Sequence, residues 1–423
     1  MPSRPRDAGP DGDAALRVLL VHNRYQRPGG EDYVFETEAA LLDDAGHAVA
    51  RFEMHNADAN GLSRVALARR TVWSREGYRA VEAAALAHRA DVVHFHNTLP
   101  LVSPAGYYCA RAAGAAVVQT VHNFRLVCPS ATLFRDGHIC EACLGKRFAA
   151  PGVRHGCYRG SRAATLAVAT MTAVHHAMGT WNAAVDRYVA ITPFMRDMLA
   201  RNGYDGARIA VKANTLRAMP ALAARGGGHI LFAARLDAGK GAETVVRAWE
   251  RHADLPPLVV AGDGAFAGLV RDAAERLGPA AGGQPRIRFA GWQTADDLAA
   301  IRETADAFLF PSEWYEGGTP IAFVEAIAQG LPAVASDVPT VLGMVRDGRE
   351  GRLFAAGDVD ALAAAVRDVF AAGPAGAARR DAMSAAARQT AERNHSPGAT
   401  LAALRQIYAE AVAVRHPARH PAK

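Results

Sequence analysis

The sequence predicts an α/β protein built from two successive Rossmann-like domains, and three observations support this. Short apolar runs alternate with segments of helical spacing, which is typical of parallel sheets covered by helices. The alternation stops once, near the middle of the chain, at a Pro- and Gly-rich stretch and then restarts. Half of the 423 residues are hydrophobic, so each half can build its own core. We expect a cleft between the domains, lined by the carboxyl ends of the strands.

The first domain is predicted at residues 15–218. LRVLLVHN at 16–23 is a continuous apolar run, as expected for a parallel strand buried on both faces. EDYVFETEAALLDDAG follows with helical spacing and ends at Gly46. Further strands are predicted at 47–54, 90–97, 115–123, 186–192 and 208–214.

The second domain is predicted at residues 229–395, after a linker at 219–228 that contains Pro and three consecutive glycines. Its expected strands lie at 229–236, 256–264, 286–292, 306–312, 332–337 and 351–358.

The termini and the hydropathy indicate a cytoplasmic protein. No apolar run approaches the roughly 18 residues that a membrane-spanning helix needs. MPSRPRDAGPDGDA has no apolar segment of the kind found in secretory signals. We therefore expect disordered tails at 1–14 and 416–423.

The net charge of +6 belongs to the N-terminal half, where residues 1–215 carry 25 Lys and Arg against 19 Asp and Glu. Part of it lies in GKRFAAPGVRHGCYRGSR at 145–162. This segment is either a solvated basic loop or a contact for anionic lipid headgroups or an anionic acceptor. Contact with lipid headgroups would make the protein peripheral to the inner face of the membrane. No nucleic-acid-binding motif accompanies the charge.

The first candidate site is FAARLDAGKGAET at 232–244, where a strand ends and a helix begins. Arg235 and Lys240 stand five residues apart in this connection. Two such cations can converge on a diphosphate, although two ordinary surface charges on a solvated turn are equally consistent with the pattern.

The second candidate site is SEWYEGGTPIAFVEAIAQGLPAVASD at 312–337. We predict that Thr319 caps the helix that follows and that Pro320 occupies its first turn. The amides of Gly317, Gly318 and Thr319 would then form an anion site at the helix N-terminus.

Two glutamates flank this turn. Glu316 precedes it, and Glu325 lies within an almost wholly apolar helix, where an unpartnered carboxylate would be costly. Glu325 therefore either accepts hydrogen bonds from ribose hydroxyls or is a solvent-facing residue on a half-buried helix.

Two weaker candidates lie in the N-terminal half. Gly29 and Gly30 follow the first strand and would let a backbone approach phosphate or acceptor. His122 follows the strand in VQTVHNFRLVCP, a common place for functional side chains. The histidines of HFHN at 94–97 are not assigned to a metal. GDGAFAG at 262–268 lacks G-x-G-x-x-G spacing, which excludes a dinucleotide fingerprint.

Taken together, these segments resemble glycosyltransferase family 4, whose fold is GT-B. The Gly-Gly loop, VHNFRLVCP, RLDAGKG, VVAGDG, FAGW and the segment at 312–337 occur in the family's order. The resemblance implies a retaining, nucleotide-sugar-dependent hexosyltransferase that needs no metal for catalysis. It also implies an acceptor-side N-terminal domain, a nucleotide-sugar-binding C-terminal domain, and a last helix at 396–415 that crosses back to the first domain.

Carried over residue by residue, the resemblance makes Arg235 and Lys240 ligands of the donor's diphosphate. Glu325 would bind the ribose, Glu316 would lie near the donor sugar, and His122 would contact the sugar hydroxyls. The family usually has seven residues between the paired glutamates, whereas eight separate Glu316 from Glu325 here.

The expected acceptor is a glycan or a lipid-linked group in surface polysaccharide or glycoconjugate synthesis. Two alternatives stay open: a non-catalytic glycan- or lipid-binding protein, and a glycan phosphorylase. The chain's four lysines offer no obvious context for pyridoxal phosphate.

Four of the five cysteines lie in one irregular segment, the Cys-rich insertion at 128–160. Cys128, Cys140, Cys143 and Cys157 follow the spacing C-x11-C-x2-C-x13-C. In a cytoplasmic protein such a set favours structural zinc, with free thiols or a redox pair as the alternatives.

Overall fold

The computed structural model describes residues 15–26, 29–279 and 283–417, which fall into two compact units. Unit 1 contains the chain up to Leu133, Glu141–Arg217 and the chain from Pro397 onward. Unit 2 contains Phe134–Cys140 and Ala218–Ser396. The predicted tail at 1–14, and residues 418–423 of the other tail, lie outside the described residues.

Strands in the described residues are mostly short and buried. They are β1 (Arg17–Arg24), β2 (Ala48–His55), β3 (Val92–Phe95), β4 (Ala116–Val121), β5 (Phe134–Arg135), β6 (His138–Ile139), β7 (Arg187–Ala190), β8 (Ile209–Val211), β9 (Ile230–Ala233), β10 (Leu258–Ala261), β11 (Ile287–Gly291), β12 (Ala307–Phe310), β13 (Ala333–Ser336) and β14 (Gly351–Phe354).

Each unit is built on one six-stranded parallel sheet. The order is β2-β1-β3-β4-β7-β8 in unit 1 and β11-β10-β9-β12-β13-β14 in unit 2. All twelve predicted strands are present, and the predicted class of two Rossmann-like α/β domains is confirmed. The prediction succeeds because parallel strands covered on both faces are continuous apolar runs, as β1 shows.

Helices connect the strands and cover the sheets. They are α1 (Gly30–Asp44), α2 (Arg64–Val72), α3 (Arg75–His88), α4 (Ala105–Ala112), α5 (Ala150–His155), α6 (Arg162–Ala177), α7 (Thr180–Ala183), α8 (Pro193–Arg201), α9 (Ala242–Arg251), α10 (Ala267–Arg276), α11 (Ala295–Thr304), α12 (Ile321–Ala328), α13 (Pro339–Leu342), α14 (Val359–Val369), α15 (Gly373–His395) and α16 (Pro397–Arg415).

The last helix, α16, belongs to unit 1 although it follows unit 2 in the chain. Its Leu404, Ile407 and Tyr408 are buried in the same core cluster as Val18 and Phe35. Tyr408 also bonds through its hydroxyl to Nδ1 of His94 at 2.8 Å. The C-terminus of the chain thus completes the core of the N-terminal sheet.

The predicted linker at 219–228 makes backbone hydrogen bonds within unit 2. The amides of Ala223, Arg225 and Gly227 donate to carbonyls of Gln329, Glu303 and Thr304. In the part of the chain that the structure describes, no helix has the length and apolarity needed to cross a bilayer.

Candidate functional site

The candidate site in unit 2 contains an ion pair that lies at the carboxyl ends of two adjacent strands. β9 and β12 run parallel and are hydrogen-bonded to each other. Lys240 follows β9 and Glu316 follows β12, so both lie at the edge where parallel sheets bind ligands. Nζ of Lys240 lies 2.7 and 2.8 Å from the two carboxylate oxygens of Glu316. Two residues predicted as separate parts of the site are therefore direct partners.

Other polar groups hold the carboxylate of Glu316 in place. Its Oε1 also accepts hydrogen bonds from Oγ of Ser312 at 2.6 Å and from Nε1 of Trp314 at 2.9 Å. Glu316 is only 4% exposed, and Lys240 lies over the ring of Trp314 at 5.1 Å. Because such charge-assisted bonds are directional, this network fixes the position of the lysine ammonium group.

A glycine turn brings Lys240 to this position. Gly241 has φ +81°, and a Cβ there would lie 1.9 Å from the carbonyl oxygen of Pro311. The carbonyl of Gly239 accepts the amide of Glu313 at 2.8 Å. The turn after β9 therefore packs directly against the backbone that follows β12, and only glycine fits at position 241.

A short hairpin from the Cys-rich insertion packs on the same turn. Antiparallel strands β5 and β6 form it, and it belongs to unit 2. Phe134 contacts the ring of Trp314 with centroids 5.8 Å apart, and its Cζ lies 3.0 Å from the Cβ position at Gly239. This contact could not be predicted from the sequence, because the strands have only two residues each.

Arg235 takes no part in the hydrogen-bond network of Lys240 and Glu316. Its side chain is 76% exposed, against 12% for that of Lys240, and it pairs with Asp237 at 3.0 Å. The predicted convergence of the two cations is therefore not present in the structure. An exposed arginine at this edge is nevertheless within the segment expected to meet a diphosphate.

Glu325 has a protein partner that the sequence did not reveal. Nη1 of Arg302, on α11, lies 2.8 Å from its Oε2, and Nε of Arg302 donates to Gln329 at 2.7 Å. Burial lowers the pKa of Arg302, and the carboxylate of Glu325 opposes this shift. The acid in the apolar helix thus compensates a buried cation.

The prediction that Thr319 caps α12 is wrong. The helix begins at Ile321, and Pro320 occupies the N-cap position with φ −59° and ψ 139°. Oγ1 of Thr319 instead contacts Sδ of Met344 at 2.9 Å in a buried position. Gly317 and Gly318 lie in the turn between Glu316 and this cap. The amides of Phe323 and Val324 donate to the carbonyl of Pro320 at 3.0 and 3.1 Å, which closes the first turn of the helix.

Unit 1 has a buried histidine cluster at the carboxyl ends of its central strands. His122 follows β4, and its Nε2 lies 3.1 Å from Nδ1 of His96, which follows β3. Burial lowers the pKa of both side chains well below the usual value, so both are neutral near pH 7. His22 contributes a third ring, with Nε2 3.0 Å from Asp32.

An ion pair lies beneath these histidines. Nζ of Lys212 donates to Glu38 at 2.6 Å, and both side chains are buried. Glu38, His94 and His96 are the one group of metal-ligand type whose atoms lie mutually within 4.8 Å in the described ranges. Both nitrogens of His94 are already bonded, to Tyr408 and Thr120, and Lys212 neutralises Glu38. Oε2 of Glu38 and Nε2 of His96 lie 3.7 Å apart and make no hydrogen bond within the described residues, so the cluster's own groups satisfy it only in part.

The glycines after β1 have different environments. Gly29 occupies the N-cap position of α1, and its amide donates to Oδ2 of Asp32 at 2.8 Å. That amide is therefore bonded within the protein, and the close backbone approach to phosphate or acceptor stays a prediction. Gly30 begins the helix, and the space where its side chain would point is open.

Three of the four clustered cysteines lie in unit 1 around one residue, Gly152. Sγ of Cys143 lies 3.4 Å from the Cβ position at Gly152, and Pro129, which follows Cys128, lies 3.1 Å from it. The amide of Cys157 donates to the carbonyl of Gly152 at 3.1 Å. In the described residues, the sulfur atoms do not form a group of three within 4.8 Å. Backbone contacts with Gly152 involve the segments that carry these cysteines. The binding of zinc stays a prediction.

Comparison with protein families gives a match over part of the chain. Residues 227–372, which include Lys240, Glu316 and Glu325, match the family described as glycosyl transferases group 1. The predicted resemblance to glycosyltransferases is confirmed, while the assignment to family 4 stays a prediction.

Curated relatives match over a similar length. The chain is 33% identical to a glycogen synthase of Mycobacterium tuberculosis over 215 residues, 49% of this chain and 47% of that protein. It is 30% identical to a phosphatidyl-myo-inositol mannosyltransferase of Mycobacterium leprae over 240 residues, 52% and 62% of the two chains. The chain thus spans less than two thirds of the length of these relatives.

Solved structures match over nearly the whole chain and confirm the predicted GT-B fold class. Anabaena HepE in complex with UDP and glucose gives a TM-score of 0.61 at 16% identity, covering 93% of this chain and 99% of that one. Sucrose-phosphate synthase from Thermosynechococcus elongatus gives 0.64 at 16% identity, covering 93% and 98%.

Proposed function

We propose, from the premise that residues 227–372 belong to the glycosyl transferases group 1 family, that this protein is a hexosyltransferase. It would move a sugar from a nucleoside diphosphate donor to a glycan or lipid-linked acceptor. The observation that carries the proposal is the buried Lys240–Glu316 pair, which holds a cation at the carboxyl edge of a parallel sheet. HepE was solved with UDP and with UDP-glucose, which supports a UDP-sugar as the first donor to test.

In the reaction we propose, the bond between the anomeric carbon and the diphosphate oxygen breaks as an acceptor hydroxyl attacks from the same face. Lys240 stabilises the negative charge on the leaving diphosphate, and the amides before α12 add to this stabilisation. A departing phosphate oxygen takes the proton of the acceptor hydroxyl. The configuration at the anomeric carbon is retained, and no metal is required.

Each remaining residue has a proposed role that respects its contacts. Glu316 positions Lys240, and Arg235 is exposed enough to turn toward a diphosphate. His122 is neutral and can exchange hydrogen bonds with sugar hydroxyls. Glu325 has a second carboxylate oxygen that can accept from ribose hydroxyls while the first faces Arg302.

The test combines binding with turnover. Purified protein is titrated with UDP, GDP, ADP and their sugars in a thermal-shift assay, because a ligand of the native state raises the melting temperature. Lys240→Ala should abolish the shift and lower turnover about 100-fold or more, as loss of one charge-stabilising donor does. Lys240→Arg should retain part of the binding.

Arg247→Ala is the matched control, since Arg247 is an exposed cation on α9 in the same unit. It should bind and turn over like the wild type. Unchanged turnover in Lys240→Ala would contradict the proposed site, and no shift with any nucleotide would favour the binding-protein alternative.

The acceptor and location follow from weaker observations. A relative named as a phosphatidyl-myo-inositol mannosyltransferase supports a lipid-linked acceptor. The basic segment at 145–162 supports work at the cytoplasmic face of a membrane, on a surface polysaccharide or glycoconjugate.

We also propose structural zinc in the Cys-rich insertion, held by the thiolates of Cys128, Cys143 and Cys157 in unit 1. Elemental analysis of protein purified without added metal should give one zinc per chain. Cys143→Ser should lose the zinc and lower the melting temperature, while Cys109→Ser should retain it. Zinc-free wild-type protein of unchanged stability would contradict this proposal.

A further inference from the structure

A cavity in unit 1 lies between the Cys-rich insertion and the helices that follow it. Its volume is about 320 Å³, enough for a small anionic group and the sugar attached to it. Cys128 and Cys143 form part of its wall, and α6 and the end of α8 complete it. The proposed transfer chemistry uses none of these groups.

The charge of this cavity has one sign. Arg125, Lys146, Arg147 and Arg201 line it, and no Asp or Glu does. Within the described part of the chain, these four cations form no ion pair with a carboxylate. Arg125 is also attracted to the carboxylate of Glu31, which lines a neighbouring smaller cavity. A concave surface on which cations predominate concentrates anions, and arginine fits phosphate oxygens in particular.

Contacts within unit 1 hold the side chain of Arg125 and the backbone before Lys146 at the cavity. Nη1 of Arg125 donates to the carbonyl of Pro129 at 2.8 Å, and its guanidinium lies 4.9 Å from the ring centroid of Tyr158. The amide of Gly145, directly before Lys146, donates to Oδ1 of Asn202 at 2.7 Å. The cavity is therefore formed by several distant parts of unit 1 and is more than a basic surface loop.

The cavity also adjoins the histidine end of β4. Arg125 and Leu126 line both this cavity and a smaller one, of about 50 Å³, that His122 and Asn123 line. A molecule bound among the cations would consequently extend toward the residue proposed to meet the donor sugar.

We propose that this cavity binds a phosphate group of the acceptor. That the phosphate belongs to an acceptor rests on the proposed function. That the cavity binds an anion rests only on the residues that line the cavity. A phosphate among Arg125, Lys146, Arg147 and Arg201 would place the acceptor's sugar or lipid-linked hydroxyl on the side of His122. A soluble sugar phosphate and a lipid headgroup are the two sources of such a phosphate, and the test distinguishes them.

The test compares two double variants that remove the same charge from the full-length chain. Lys146→Ala/Arg147→Ala removes two cavity cations. Arg154→Ala/Arg162→Ala removes two exposed arginines of the same basic segment that do not line the cavity. All proteins also carry Lys240→Ala, so that the donor-side cation does not contribute, and their melting temperatures establish that each is folded.

Calorimetric titration with inorganic pyrophosphate reports soluble phosphate, and flotation with phosphatidylglycerol or phosphatidylcholine vesicles reports a headgroup. The cavity variant should bind pyrophosphate at least tenfold more weakly than its background, and the control within twofold. The same pattern with phosphatidylglycerol vesicles only would support the inference and identify a lipid source.

Equal losses in both double variants, or no binding of either probe, would overturn the inference. A UDP-dependent thermal shift in protein with an intact Lys240 reports the proposed function separately. A UDP-dependent thermal shift without pyrophosphate binding would support the proposed function and contradict the anion site. Pyrophosphate binding without a UDP-dependent shift would support the anion site and contradict the proposed function.

Discussion

Glu325 shows how a single carboxylate is accommodated in an apolar helix. Its partner Arg302 is buried, and Gln329 accepts a second bond from the same guanidinium. The sequence indicated either ribose hydroxyls or solvent around Glu325 and did not identify Arg302, which lies on another helix, 23 residues earlier in the chain. This contact makes any substitution of Glu325 a structural change as well as a change in binding.

We expect Glu325→Gln to lower the free energy of unfolding by roughly 1–3 kcal/mol, because Arg302 loses its compensating charge. Urea denaturation measures this change, and Glu243→Gln on the exposed face of α9 is the control. Full stability combined with lost nucleotide binding would instead identify Glu325 as a ligand-binding side chain alone.

The Lys240–Glu316 pair shows that the position of a residue relative to a strand end can be predicted from the sequence, whereas its contact with a distant residue cannot. Both residues were chosen correctly as neighbours of strand ends. Their direct pairing depends on β9 lying beside β12, three strands later in the sequence, and no local pattern encodes that adjacency. The same limit applies to His96 and His122, whose strands are neighbours in the sheet of unit 1.

At the scale of elements, the turn between β9 and α9 depends on one glycine. Gly241 combines a positive φ with a backbone contact that leaves no room for a methyl group. Gly268, on α10, has open space at its Cβ position and ordinary helical backbone angles. The two glycines therefore form a matched pair for substitution.

Gly241→Ala should lower the free energy of unfolding by roughly 2–4 kcal/mol and reduce nucleotide binding, because strain at φ +81° adds to the clash. Gly268→Ala should be neutral or stabilising by up to about 1 kcal/mol. Both are measured by urea unfolding and thermal shift. Equal effects of the two substitutions would contradict this account of the turn.

Elements were predictable where hydrophobic periodicity is strong and were missed where it is weak. Most of the twelve sheet strands are rich in apolar residues, whereas β5 and β6 have two residues each and no alternation. The cap of α12 was placed one residue too early. Thr319 is a good capping residue in general, but here its hydroxyl faces Met344.

For the whole molecule, the buried histidines determine how stability depends on pH. Burial lowers the pKa of His94 to about 3 and shifts those of His96 and His122 in the same direction. The unfolded chain, with histidine pKa values near 6.5, binds more protons than the folded chain below that pH. Stability is therefore full above pH 6.5 and is lost as the pH falls.

Between pH 7 and 5.5, we expect the free energy of unfolding to fall by about 1 kcal/mol for each such histidine. Urea unfolding across this range measures the slope. His94→Gln should remove about one histidine's share of this slope. A wild-type stability that is flat in pH would contradict neutral burial.

The hairpin at Phe134–Cys140 has a consequence for genetics. It is encoded in the first third of the gene, between segments of unit 1, yet Phe134 packs against Trp314 and beside Gly239. Alleles at Phe134 should therefore share their phenotype with alleles of Lys240, a hundred codons downstream, and differ from alleles of the cysteines on either side. Grouping by codon position would assign Phe134 alleles to unit 1. Grouping by phenotype would assign them to unit 2, together with alleles of Lys240.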